Sequence, residues 1–578
     1  MKKILFAVLA VVMVTLLVAP SKMFAGSADT LVVYANGPSL DEVINSDTTS
    51  TGTRAHIAYK LVTTDTTYLY LGQVTVNSDI TVIGVPGDDG RLPTIQPGIL
   101  SDGSMPAILF VMTGEGTKGV FKNFYIYGRT VSGDGNWGKD FVLSANDINF
   151  YMDNVVVDEN RGEVIAYTGT GCSFYVTNSK FRNGVYPSNW YSSVVLVSDY
   201  PTTNPADTVI MKYNTFFCIN AGAAEPGVNK PTNYLEFAHN SVVYNTTFTL
   251  RMFNVAHAVI RDNIFYSTYS CAIPKSQYPF WYESFSYDIG STISLDTMTV
   301  ADDSTFNPSD AGKADWRMLT EAKRIVEVKN NVFYLPQEVS DLWTTWNSTH
   351  TGADSLYTPA WMNARTLNMF SDKTHWPGFV EEGNQVGVDP QFGSSFANIL
   401  TNADGESGVG LLNYITLLRG GTISSEEWGY KKQLPTSDYW VPEWPLPELN
   451  DMQYTNASIK YATTDGLPMG DPGWFSNGYT GVEENTVNVP TEFTLYDAYP
   501  NPFNPSTTIK FNLAQANNIS LKVYNTIGQL VKTVVNNEFK SQGEHSVTVN
   551  MQNFASGIYF YTLQQGNQQL SKKFVLMK

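Results

Sequence analysis

The 578-residue chain carries 36 basic against 54 acidic residues, a net charge of -18, and 13% of it is aromatic. Three lysines in the first 25 residues and an excess of three lysines over acids after residue 486 leave the stretch between them at -24, a surface that repels nucleic acid and excludes it as a partner. Three cysteines, Cys172, Cys218 and Cys271, cannot all pair and lack the spacing of a zinc site, so buried small side chains are expected there. In chain order, Lys2 and Lys3 precede an apolar run over residues 4–18, and Ala25 precedes Gly26. That pattern reads as a secretory signal peptide over residues 1–25, because the run is shorter than the roughly 20 residues of a spanning helix. No second apolar stretch follows, so the mature protein is expected to lack a transmembrane segment and to be monomeric.

Residues 31–34 have a strand pattern. Ser39 followed by Glu42 fits a capping box, which predicts a short helix over residues 40–45 placed to cover an open sheet end. Strand-like runs follow at 59–62, 68–71, 74–76 and 80–84. Beyond them an asparagine recurs inside apolar segments, at Asn123, Asn154, Asn178, Asn214, Asn240, Asn263 and Asn331. The first five intervals are 31, 24, 36, 26 and 23 residues, one supersecondary unit repeated at an irregular period, as in a solenoid whose excess length goes into outer loops. Three positions before each Asn stand Val120, Tyr151, Tyr175, Met211, Phe237, Ile260 and Val328, all apolar, so this column is expected to point inward. Asn tolerates the left-handed backbone of a sharp corner, and its amide can bond the Asn of the next rung, so the seven are expected to form a structural ladder.

Strand, Asn corner and strand behind an N-terminal cap resemble the right-handed parallel β-helix of the pectate-lyase superfamily, over roughly residues 30–335. The segment Val386-Gly387-Val388-Asp389-Pro390-Gln391-Phe392 resembles the closing rung of such proteins. The interval from Asn263 to Asn331 implies an insertion at 264–330, and a second lies at 337–380 with a helix expected over 359–369. Another helix is expected over 408–418, and residues 457–475 resemble a terminal motif that closes the C-terminal end of the solenoid. Residues 476–489 read as a linker.

Residues 490–578 switch to hairpin patterning, with strands expected at 507–513, 519–524, 529–535, 545–550, 558–564 and 572–576, a small antiparallel β-sandwich. The run Tyr499-Pro500-Asn501-Pro502-Phe503-Asn504-Pro505, then Gly557-Ile558-Tyr559 and the ending Lys572-Lys573-Phe574-Val575, resembles the C-terminal sorting domain of type IX secretion cargo. The resemblance implies the type IX secretion machinery as a partner and a location outside the cell or on the outer-membrane surface of a Gram-negative bacterium. The expected fold class is therefore all-β, a right-handed parallel β-helix over residues 26–475 followed by a small antiparallel sandwich.

A β-helix polysaccharide lyase needs a cation, often Ca2+ held by acids, to neutralise the uronate, and a base such as Arg or Lys with a lowered pKa. Lys212, Glu236, Arg261 and Asp262 are read on outward positions of consecutive rungs about 4.8 Å apart and are the candidate catalytic residues. Ordinary cross-strand charge pairing gives the same pattern. Trp281, Tyr282, Trp343 and Trp346 are the candidates for stacking on sugar rings. The chain is thus expected to bind, and as a lyase to cleave, an extracellular polysaccharide; the alternative is a non-catalytic adhesin or structural β-helix protein.

Overall fold

A computed structural model describes residues 29–184, 194–198, 204–226, 232–247, 249–252, 254–274, 291–295, 321–401, 410–419, 446, 452–475, 493–498, 500–513, 517–540, 543–566 and 568–577. Three parallel sheets of 11, 10 and 9 strands run through the body. Successive turns visit them in a fixed order. Lys118–Lys122 lies in the first sheet, Tyr125–Tyr127 in the second and Lys139–Leu143 in the third; Asn149–Asp153 then returns to the first, beside Lys118–Lys122. The body is a parallel β-helix. Its interior is a continuous apolar column, in which Phe110, Phe121, Phe141 and Phe150 meet with ring centroids 4.7 to 5.4 Å apart. The three cysteines are free and buried.

The strand register corrects the expected ladder. Lys122, Asp153, Thr177, Lys212, Ala238, Arg261 and Lys329 are partners from rung to rung. Asn123, Asn154 and Asn178 therefore share a column with Tyr213, His239, Asp262 and Asn330, and all seven have positive φ, between 50° and 60°. The ladder proper is the next column, where Asn214, Asn240, Asn263, Asn331 and Asn384 face inward. Each of the first four donates Nδ2 to Oδ1 of the next, at 2.9, 3.2, 2.9 and 2.9 Å. The same Oδ1 atoms accept the preceding Asn N–H at 2.8 to 3.1 Å, so side chain and backbone are satisfied together.

Because side chains alternate with period two, the one-residue offset exchanges the faces. Met211, Phe237, Ile260 and Val328 point into the core as expected, whereas Val120, Tyr151 and Tyr175 point outward and pack with Ile210 and Tyr234 in a separate apolar strip. Asn384 escaped the pattern because the residue three before it is Glu381, which at the last rung accepts a hydrogen bond from Trp361 rather than filling the core.

Both ends of the helix are closed by local devices. At the start, the helix Leu40–Ser46 buries Leu40 and Ile44, but Ser39 makes no side-chain cap bond, so the capping box is not formed. Asp41 instead accepts the Leu71 N–H at 2.8 Å, and Asn45 accepts from Thr75 and donates to Gln73, which satisfies the open edge at Val74–Val76. At the other end, Ala360–Met362 adds a strand to the nine-stranded sheet, and the helix expected from residue 359 runs over Ala364–Ser371, capped by Asn363. Its Phe370 lies 5.4 Å from Phe379 and covers the core.

Helices Gln337–Thr349, Ser395–Thr401 and Leu411–Arg419 form a second layer on the outer face of the ten-stranded sheet, sharing a core that includes Phe217, Tyr244, Trp343 and Tyr414. Residues 462–475 do not close the C-terminal end. They run back along the first corner as a strap, where Gly470 N–H meets the Asp262 carbonyl at 2.8 Å, Asp471 pairs with Lys180 at 2.6 Å and Trp474 donates to Thr215 at 2.7 Å. After residue 492 the chain forms antiparallel sheets of three and four strands around Phe511, Leu521, Tyr561 and Phe574.

Candidate functional site

The outer face of the 11-stranded sheet holds two adjoining regions. On the rungs from Lys118 to Lys212, in-register pairing of Tyr151 with Tyr175 stacks their rings, with centroids 4.6 Å apart and planes 10° apart. The Lys118 ammonium sits 5.2 Å from the Tyr151 centroid. Lys122 lies 3.7 Å from Asp153, and Lys212 bounds the far side of a groove of about 190 Å3 floored by the tyrosines and Ile210. Burial and the neighbouring Tyr151 push the Tyr175 phenol well above its ordinary value, so it stays neutral. Tyr151 and Tyr175 are only 5% and 7% exposed, so the groove shows little of their rings; its border is set by Lys118, by Lys122 beside Asp153 and by Lys212, whose ammonium is paired with Glu236.

The next rungs bring the four candidate catalytic residues together. Lys212 Nζ is 2.8 Å from Glu236, Arg261 is 3.3 Å from Glu236 and 2.7 Å from Asp262. The strap completes the cluster: Thr464 donates its hydroxyl (2.6 Å) and N–H (3.0 Å) to Asp262, and Asp465 lies 3.0 Å from His239 Nε2. His239 Nδ1 faces the Pro468 carbonyl at 3.1 Å. Burial raises the Glu236 pKa, but Lys212 and Arg261 outweigh it and the net shift is downward. Burial alone would lower Arg261; Glu236, Asp262 and Asp465 reverse that and raise it. The guanidinium is thereby held protonated, the opposite of what a proton-abstracting arginine needs.

The other candidates lie apart. Trp343 is 1% exposed, inside the layer between helix Gln337–Thr349 and the ten-stranded sheet, so it offers no face to a sugar. Trp346 stacks on His350 at 4.1 Å on that same side. Trp281 and Tyr282 lie outside the described residues. The carboxylates near the second corner are also engaged, Asp158 by Arg182 at 2.8 Å and by the Tyr125 hydroxyl, and Glu159 by Arg129 at 2.5 Å. Among the described residues, no three His, Cys, Asp or Glu side chains are grouped to hold a metal ion, and no helix is long and apolar enough to cross a membrane.

Sequence reasoning missed the tyrosine floor and the strap. The apolar column of Tyr151 and Tyr175 reads as inward, but the polar alternation of Asn149 and Asp153 around Tyr151 is the stronger signal and marks it as outward. Thr464 and Asp465 stand about 200 positions from Asp262, where spacing says nothing.

Residues 497–577 match the Secretion system C-terminal sorting domain. No match to the chain is found among curated proteins or solved structures. The sorting domain marks the chain as cargo of the type IX secretion machinery, bound for the medium or the cell surface. It corresponds to the antiparallel tail, whose buried Tyr561 donates its hydroxyl to the Tyr496 carbonyl at 2.7 Å and accepts the Ala498 N–H at 3.0 Å, pinning the first strand to the sheet.

Proposed function

We propose that the β-helix body binds an acidic extracellular polysaccharide along the outer face of its 11-stranded sheet, as a non-catalytic adhesin carried out of the cell by its sorting domain. In this reading residues 26–475 are the binding module, 476–489 a linker and 490–578 the export address, with the outer-membrane surface of a Gram-negative cell as the destination. The observation that carries it is the groove over Tyr151 and Tyr175, where Lys118 and Lys122 face the single carboxylate Asp153. Ammonium groups select carboxylate or sulfate substituents within an otherwise acidic body. A lyase fits less well because Arg261 is pinned by acids and Lys212 is paired with Glu236. Incubation of the mature protein with uronate, sulfated and neutral polymers, with calcium and then with chelator, tests both parts. Binding of acidic polymers without unsaturated or new reducing ends is expected; release of unsaturated ends would overturn the non-catalytic reading.

A further inference from the structure

The four-stranded sheet of the sorting domain buries Tyr559, Tyr561 and Leu563 on one face and leaves large apolar side chains bare on the other. Ile558 is 46% exposed, Phe560 41%, Leu530 52% and Ile527, at the turn after Tyr524, 75%. They are not scattered. Leu530 is the register partner of Tyr524, Tyr524 of Phe560, and Ile558 of Val575, so the group spans three to four neighbouring strands, about 10 to 14 Å across. Contiguous exposed apolar surface of this kind marks an interaction site.

Charge indicates what covers it. Lys522 and Lys573 flank the patch, the latter as the partner of Phe560, and no carboxylate of the described residues pairs with either. The strands Asn517–Tyr524, Gly557–Gln565 and Gln568–Leu576 contain no acidic residue, and the fourth, Leu530–Lys540, has the single acid Glu538 against Lys532 and Lys540. A second copy docked face to face would set lysines against lysines, which disfavours self-association. We propose that this face, centred on Ile558 and Phe560, is the surface by which the sorting domain engages its receptor in the type IX machinery, and that the receptor offers an apolar surface rimmed by carboxylates. The inference rests on the sorting reading of the tail.

The test is export of the full-length chain from a cell that has the type IX machinery, followed by fractionation. Ile558→Asp with Phe560→Asp, and separately Ile527→Ser with Leu530→Ser, should leave at least tenfold less protein outside the cell, with the protein held in the periplasm. Lys510→Asp, on the three-stranded sheet, should be exported normally. The Ile527/Leu530 pair decides the matter if the aspartate pair fails to fold, since both residues are largely exposed. Normal export of the folded patch variants overturns the proposal, as does a wild-type dimer that these substitutions dissociate. A deletion of residues 489–578 separates the two readings: if it is still exported, the sorting reading itself fails; if it is retained while the patch variants leave the cell, only the face assignment fails.

Discussion

The groove around Tyr151 and Tyr175 and the cluster around Arg261 occupy neighbouring rungs of one sheet face and use similar residue types, yet they end in opposite electrostatic states. In the cluster every charge meets a counter-charge: Glu236 lies between Lys212 and Arg261, and Asp262 between Arg261 and Thr464 of the strap. In the groove, Lys118 and Lys122 stand beside one carboxylate, Asp153, while Lys212 at the far side is held by Glu236 of the cluster. Saturated pairs hold structure, because their desolvation is compensated only within the set. An ammonium outside such a set is free to meet an anionic ligand. Residue type nominated the cluster; the balance of charge nominates the groove.

Substitutions can test that division. The largest effect is expected in the cluster, where Arg261→Ala leaves Glu236 and Asp262 short of their guanidinium and should cost about 3 to 5 kcal/mol of stability. Urea unfolding would show it, while polysaccharide affinity of the folded protein should stay within about twofold. Loss of binding without loss of stability would move the site to the cluster. Next is the register on which both regions depend. Asn263→Ala removes bonds to Asn240, Asn331 and the Phe237 carbonyl and should cost about 2 to 3 kcal/mol, whereas Asn154→Gly, at an exposed corner with φ of 50°, should change stability by less than about 0.5 kcal/mol.

These two asparagines also show what the sequence could and could not convey. The repeat, the strands and the solenoid were legible because each rung alternates apolar and polar residues around a residue that accepts a left-handed corner. The offset between Asn178 and Asn214 was not, because two adjacent corner positions both accept Asn, and only pairing of Thr177 with Lys212 tells them apart. That single residue decides whether Tyr151 and Tyr175 belong to the core or to the surface. The sorting domain was legible from short runs such as Gly557-Ile558-Tyr559, since its turns and hairpins are local. The strap was not, because nothing in residues 462–475 encodes a partner two hundred positions earlier.

Smaller effects belong to the groove and to pH. Lys122→Ala should weaken acidic polysaccharide binding about fivefold, or about 1 kcal/mol, by titration calorimetry. The smallest effect concerns Glu236. Its folded pKa lies below the ordinary 4.5, so its contribution to stability is present above that value and is lost as pH falls through the folded one. Glu236→Gln should flatten that acid limb of the stability profile in a thermal-melt series, and an unchanged limb would show that the cluster does not hold the rungs.

The proposed role of the groove is to hold an acidic polysaccharide without cutting it. The most direct measurement compares binding of one uronate polymer and one neutral polymer to the mature protein and to its Lys118→Gln, Lys122→Gln variant, with product analysis in the same samples. The uronate polymer should bind, the variant should bind it about tenfold more weakly, rising salt should weaken binding further, and no new chain ends should form. Equal affinity for the neutral polymer, or unsaturated ends that vanish in Arg261→Ala, would contradict it.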